Sequence, residues 1–143
     1  MCDLIDQYRK IQPEVDDAIS QVINNSAFIN GPQINEFKAS LEQYTGTKHV
    51  IPCANGTDAL QLALMALDLQ PGDEVIVPAF TYVAAAEAIG LLRLVPVMVD
   101  VDYHSFNITL GNIGKGLSPK TRAIIPVHLY GHPVDMDPLI QLH

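Results

Sequence analysis

The stretch GDEVIVPAFTYVAAAEAI, residues 72–89, decides how the chain is read. Gly72-Asp73 closes a turn. Glu74 to Ala79 (EVIVPA) is a short apolar, β-branched run of the kind that forms a buried strand. Thr81 onward (TYVAAAEAIGLLR) is rich in small and straight-chain residues and reads as a helix that packs closely. A buried strand that hands over directly to a helix is half of a βαβ unit, and the other half lies on either side of it.

Downstream, LVPVMVDVD (residues 94–102) reads as the next strand and TRAIIPVHLYG (121–131) as a further one. Upstream, HVIPCA (49–54) reads as a short buried strand. It is followed by TDALQLALMALDL (57–69), a helix apolar nearly all round and so expected to be covered on most sides. The connection TLGNIGKGLSPK holds Gly111, Gly114 and Gly116, more glycine than a helix favours, and reads as a weak helix at best. Strands alternating with helices predict an α/β fold with a mostly parallel sheet and right-handed crossovers. Ligands on such sheets lie beyond the carboxyl ends of the strands.

The first 46 residues have a different pattern. Val15, Ala18, Ile19, Val22 and Ile23 mark one helix face, with Pro13 expected in the first turn. INGPQ (29–33) is a turn, and Ile34, Phe37, Leu41 and Tyr44 mark a second helix that stops near Gly46. The division expected is an arm with two surface helices over 1–46, then an incomplete α/β domain over 47–143. At the end, HPVDMDPLIQLH offers Asp135 or Asp137 as a cap and Pro138 as the first helical residue. His143 falls about one turn later, too short for a stable helix. The reading is a piece of a longer protein, and a half sheet with open edges is expected to be aggregation-prone or held by partner chains.

The 143 residues are 48% apolar with a net charge of −8. The scattered Lys and Arg exclude a nucleic-acid backbone as partner, which needs clustered cations. Val75 to Val99 is interrupted by Glu87, Arg93 and prolines and makes a poor membrane span. MCDLIDQYRK is no secretory leader. Cys2 and Cys53 make no disulfide framework, so a reduced, cytoplasmic protein is expected. Cys53 reads as a small buried hydrophobe.

Three places carry candidate chemistry. Gly56, Thr57 and Asp58 stand where a strand hands over to a helix, where unpaired N–H groups and the helix dipole can cradle a phosphate. On these residues alone the favoured reading is an ordinary cap by Asn55 or Thr57, and the Asp58 carboxylate counts against a bare phosphate site unless it points away. Phe80 and Tyr82 lie just past a strand end, where a ring could stack on a flat cofactor; one of the two is expected in the core. His128 and Tyr130 lie at the carboxyl end of the last strand, where the histidine is read as a hydrogen-bonded core residue. With His132 it makes no zinc site, having too few ligands. Asp100 and Asp102 read as a solvated strand end. No G-x-G-x-x-G fingerprint follows a strand, which argues against a dinucleotide-binding domain.

As a set, FINGPQINEFKASLEQYTGTKHVIPCANGTDALQLALMAL, GDEVIVPAFTYVAAAEAI, PVMVDVD and TRAIIPVHLYGHPVDMDPL resemble the opening portion of the DegT/StrS sugar aminotransferases. These are fold-type-I enzymes (three-layer α/β/α) that use pyridoxal 5′-phosphate (PLP). The resemblance covers essentially the whole chain. It implies that Gly56, Thr57 and Asp58 hold the cofactor phosphate and that Tyr82 stacks on its ring, with Phe80 a packing residue. It places the FINGP segment, with Phe28, Ile29 and Gly31, near the substrate, in the partner's site of a homodimer. His128 and Tyr130 fall near the substrate as well. The implied reaction moves an amino group, usually from glutamate, onto a nucleotide-linked keto-sugar for polysaccharide or antibiotic synthesis. The family's D-x-A-Q motif and Schiff-base lysine come after the stretch matched here. Lys10, Lys38, Lys48, Lys115 and Lys120 do not correspond to that lysine. The isolated chain is therefore expected to be inactive. The alternatives are a PLP-dependent sugar dehydratase of the same fold and a non-catalytic remnant or regulatory binding protein.

Overall fold

The structure is a computed structural model and describes residues 3–142. Cys2, and His143 at the end of the terminal helical pattern, lie outside the described residues. The chain forms two compact units, one running to Pro52 and the other starting at Cys53.

The first unit is two helices and an extended tail. Helix α1, Leu4–Asn24, starts well before the position expected from Pro13, which lies inside it. The reason is a cap: Asp3 Oδ1 accepts from the N–H groups of Ile5 and Asp6 at 3.1 and 3.0 Å. An i,i+4 ion pair, Lys10 to Asp6 at 2.9 Å, adds to the same early turns. Helix α2, Pro32–Thr45, has proline at its first position and ends at Gly46, whose φ of 70° is the left-handed cap glycine accepts readily. Gly31 precedes it, where a Cβ would stand 2.7 Å from the carbonyl oxygen of Ala27. Gly31 is the one buried residue of the described part of this unit.

The second unit is layered. Its order is α3 (Gly56–Ala66), β1 (Glu74–Pro78), α4 (Ala84–Leu91), β2 (Val95–Val99), α5 (Leu110–Gly116), β3 (Thr121–Ile124), a 3₁₀ turn (Leu129–Gly131) and α6 (Met136–Ile140). The sheet is three-stranded and parallel, in the order β2-β1-β3. Side chains alternate across β1. Val75 and Val77 face Leu64 of α3 and Ala85, Ala88 and Ile89 of α4. Ile76 faces the other way, into Val99, Ile108, Ile113 of α5 and Val134. Each fully buried valine or isoleucine contributes about 1.5–3 kcal/mol. The three-layer α/β/α arrangement agrees with the expectation.

Several details differ from it. HVIPCA forms no strand: Ile51 is 78% exposed, and Val50 N–H bonds to Glu42 Oε1 at 3.0 Å instead of to a ladder. Cys53 is exposed, and its thiol donates to the Asn55 carbonyl at 3.4 Å. Helix α3 is covered only on the side of Leu64, with Leu62 and Met65 largely exposed. The glycine-rich connection is a helix after all, because Thr109 Oγ1 accepts from the Asn112 N–H at 3.3 Å. Gly116 lets its last turn rest on the sheet: a Cβ there would stand 2.6 Å from Val99 Cγ1. Strand β3 stops at Ile124, seven residues shorter than the run TRAIIPVHLYG, since Pro126 has no N–H to continue a ladder. Pro138 is the third residue of α6, not its first, and Asp135 stands at the cap position without a side-chain bond. Asp102 is more than a solvated strand end. Its Oδ1 accepts from His104 N–H, Ser105 N–H and Ser105 Oγ at 2.9–3.0 Å and so organises the turn after β2.

Candidate functional site

Strand direction fixes where the candidate residues gather. Helix α4 joins two parallel strands, so it runs back against them and starts at their carboxyl ends. Helix α3 ends a few residues before β1 begins, which puts its C-terminus at the amino ends. It packs along α4. Eleven helical residues span about 16 Å, and a five-residue strand spans about 17 Å. The N-terminus of α3 therefore lies at the carboxyl side of the sheet, the same side as the loop that carries Phe80 and Tyr82.

Gly56, Thr57 and Asp58 are the first three residues of α3. Asn55 is the cap: its Oδ1 accepts the Asp58 N–H at 3.0 Å, and its Nδ2 donates to Asp58 Oδ2 at 3.2 Å. The carboxylate of Asp58 is thereby tied back to the cap. The N–H groups of Gly56 and Thr57 have no partner among the described residues, and a Cβ at Gly56 would meet nothing within 4 Å. Capping and anion cradling are thus compatible here: one residue caps, and two dipole-aligned donors stay free with open space above them. This donor set suits a phosphate monoester.

Phe80, Thr81 and Tyr82 form one wall of a cleft of about 370 Å³, and Leu129 and Tyr130 form the other. Neither Phe80 nor Tyr82 is in the core; they are 51% and 79% exposed. Phe80 lies against Phe106 with ring centroids 5.6 Å apart, tilted by 35°. Tyr130 is 94% exposed, with a left-handed φ of 53° next to Gly131 at 82°. Aromatic faces on both sides of a cleft suit a flat ring.

His128 is not in the cleft lining, nor is it a core residue: it is exposed, four residues beyond the end of β3. Its Nδ1 accepts the Val134 N–H at 3.0 Å, so the neutral ring carries its proton on Nε2. Phe28 and Ile29 are exposed on the α1–α2 turn of the first unit, with Gly31 beside them at the start of α2. No cluster of three His, Cys, Asp or Glu side chains poised for a metal occurs among the described residues. No helix among them is long and apolar enough to cross a membrane.

Lys120 directly precedes β3, and Lys115 lies in the last turn of the α5 helix that runs down to it, so both lie at the amino ends of the strands, opposite the cleft. Lys10, Lys38 and Lys48 belong to the first unit. Phe106 and Asn107 are site neighbours that sequence reading did not find. The signal was slight: one asparagine between an aromatic and an isoleucine in SFNIT, where a polar residue must bury its amide.

The chain is 45% identical over 135 residues to a UDP-2-acetamido-2-deoxy-3-oxo-D-glucuronate aminotransferase of Pseudomonas aeruginosa, matching 94% of this chain and 38% of that protein. The crystal structure of Streptomyces venezuelae DesV superposes with a TM-score of 0.92 at 40% identity, over 96% of this chain and 37% of DesV. A putative sugar aminotransferase of Streptococcus pneumoniae, solved in its PLP form, superposes with a TM-score of 0.82 at 36% identity, over 86% of this chain and 31% of that one. The chain thus spans a little over a third of the length of the curated relatives it matches. Residues 9–143 match the DegT/DnrJ/EryC1/StrS aminotransferase family, and the chain belongs to that family.

Proposed function

We propose that this chain supplies the phosphate cradle and the ring-facing walls of a PLP-dependent aminotransferase acting on a nucleotide-linked keto-sugar, with glutamate as amino donor. The observation that carries the reading is the pair of free N–H groups on Gly56 and Thr57, at the same end of the sheet as the Tyr82–Tyr130 cleft. Residues and cofactor fit. The first turn of α3 would take the phosphate, with the Thr57 hydroxyl as a further donor, and Tyr82 would pack on the pyridine face. When bound, PLP supplies the electron sink for amino transfer. The chain's own residues bind and orient it. The aromatic walls exclude water from one side, and the helix N-terminus neutralises phosphate charge without a net positive surface.

The nucleotide-sugar substrate is supported by the aminotransferase relatives, whose names specify UDP- and dTDP-linked sugars. A homodimer and a cytoplasmic location belong to the same proposal. So does a substrate role for Phe28, Ile29 and Gly31, and for Tyr130 at the mouth of the cleft. His128, turned onto Val134, would serve by holding the loop. No lysine of the second unit lies at the carboxyl ends of the strands, so the 143-residue chain by itself is expected to lack transaminase activity. Amine transfer from glutamate by the purified chain, with PLP supplied, would overturn that expectation.

The testing experiment uses the protein as its gene encodes it. Glutamate-dependent amination of UDP- and dTDP-linked keto-sugars is followed by mass spectrometry, with PLP affinity measured in parallel. Tyr82→Ala is expected to weaken PLP binding about tenfold, the scale of one lost aromatic stacking contact. Unchanged affinity in both Tyr82→Ala and Thr57→Ala would remove the cradle-and-wall reading. Loss of water from the sugar instead of gain of nitrogen would select the dehydratase.

A further inference from the structure

The cleft has two walls, and one dipeptide touches the first and is tied to the loop that carries the second. Phe106 lies against Phe80 on the wall that follows β1. Asn107, the next residue, is only 5% exposed. Its Nδ2 donates to the carbonyl oxygens of His132 and Pro133, at 3.1 and 3.0 Å, in the segment that forms the other wall. His128 fastens that segment from within, through the bond from Val134 N–H to its Nδ1.

Between these ties lie Tyr130 and Gly131, both left-handed. A tyrosine in that region is strained and stays there only where its surroundings hold it. The Tyr130 ring is almost fully exposed, so its own packing does not hold it. The bonds on either side do: His128 spans the loop, and Asn107 grips the two carbonyls that follow Gly131. Phe106 is left-handed as well, at φ 57°. Strained aromatic residues thus serve both walls, and the buried amide of Asn107 is adjacent in sequence to one and bonded to the segment that holds the other.

We propose that Phe106-Asn107 is the spacer that fixes the width of the Tyr82–Tyr130 cleft, with Asn107 a positioning residue for the 128–134 loop and Phe106 a prop for Phe80. The proposal rests on the reading of this cleft as the seat of a planar ring whose phosphate sits on α3. The ligand class it serves is a flat heteroaromatic ring. A correct width lets both faces be covered, and a slack loop leaves one face to water.

The chemistry of Asn107 provides a selective test. Two carbonyl oxygens face its NH₂ group. Aspartate has the same shape but presents oxygen to oxygen when ionised, so Asn107→Asp breaks the grip without leaving a cavity. Protonated, it regains one donor, and burial raises the pH at which that happens. The probes are 4′-deoxypyridoxine 5′-phosphate, which has the ring and phosphate but no aldehyde, and inorganic phosphate, which needs only the cradle. In the protein as its gene encodes it, Asn107→Asp at pH 8 is expected to bind the ring compound about tenfold more weakly and inorganic phosphate within about twofold of the parent. Amide exchange over residues 129–134 should quicken, and ring affinity should recover towards the parent at pH 5.5.

Parent-like ring affinity, or an equal loss for both probes, would overturn the spacer. A parent protein that binds no ring compound would remove the cofactor reading instead. The spacer is then judged by exchange alone, where faster exchange over 129–134 supports it and unchanged protection overturns it. Should Asn107→Asp fail to fold, His128→Asn, which keeps an acceptor near the Nδ1 position, is compared with His128→Ala, which does not. A ring-selective loss confined to the alanine variant supports the proposal, and equal behaviour of the two overturns it.

Discussion

Two apolar, β-branched runs in this chain have opposite fates. Val50-Ile51 is extended tail, with Ile51 78% exposed; Val75-Ile76-Val77 is the centre of the sheet, none of the three above 1%. Their local preferences are nearly the same. What differs is the neighbourhood. β1 has a paired strand on each side and helices on both faces, whereas Val50 finds only a glutamate side chain for its N–H. A strand is a property of a ladder, and β-propensity reports how well a run fits one once it exists.

The sharpest way to break the comparison is to truncate the same side chain in both runs. Ile76→Ala should destabilise the second unit by about 2–5 kcal/mol, as a deep cavity does, and Ile51→Ala by no more than about 0.5 kcal/mol. Urea unfolding of the two variants checks this, and similar costs would mean that the 49–54 segment is paired in solution. Next comes the cover over the strand. Gly116→Ala drives a methyl to 2.6 Å from Val99 Cγ1, which should cost about 1–3 kcal/mol and lower the urea midpoint. Asn55→Ala, immediately after the unpaired run, should cost about 1 kcal/mol by loss of the α3 cap.

The smallest effect is at the turn beyond β2. The Ser105 backbone N–H, then the Ser105 hydroxyl and the His104 N–H, hold the Asp102 carboxyl below the usual carboxylate range. Because the folded value is the lower one, the stabilisation is full above the unfolded-state pKa and drains away as pH falls through the folded one. Asp102→Asn should flatten this acid limb in a stability-against-pH series and leave the neutral-to-alkaline limb unchanged.

The same lesson separates what was legible in the sequence from what was not. β1 and β2 are apolar β-branched runs, α2 carries one apolar face and α4 a run of small residues, and all four are found. Helix α1 began early because one aspartate cap outweighed a proline ten residues further on. α5 was underrated because its glycines were read as helix breakers, when Gly116 is there for close approach to Val99. Of the candidate site, Tyr82 follows from the end of β1, and Gly56 and Thr57 from the start of α3, although no strand precedes that helix as the apolar run had suggested. Phe106 and Asn107 do not. Their roles come from a left-handed φ and from bonds to residues 25 and 26 positions away, neither of which leaves a periodic trace.

The incomplete capping of α3 makes the fold itself responsive to its surroundings. Asn55 satisfies one donor of the first turn and leaves those of Gly56 and Thr57 unpaired. Any anion that pairs them in the native state, and finds no such pair in the unfolded chain, shifts the folding equilibrium by mass action. At a hundred times its dissociation constant such a ligand adds about 2.7 kcal/mol. Under the proposed phosphate cradle, the melting temperature would rise with the concentration of the phosphate esters that bind it.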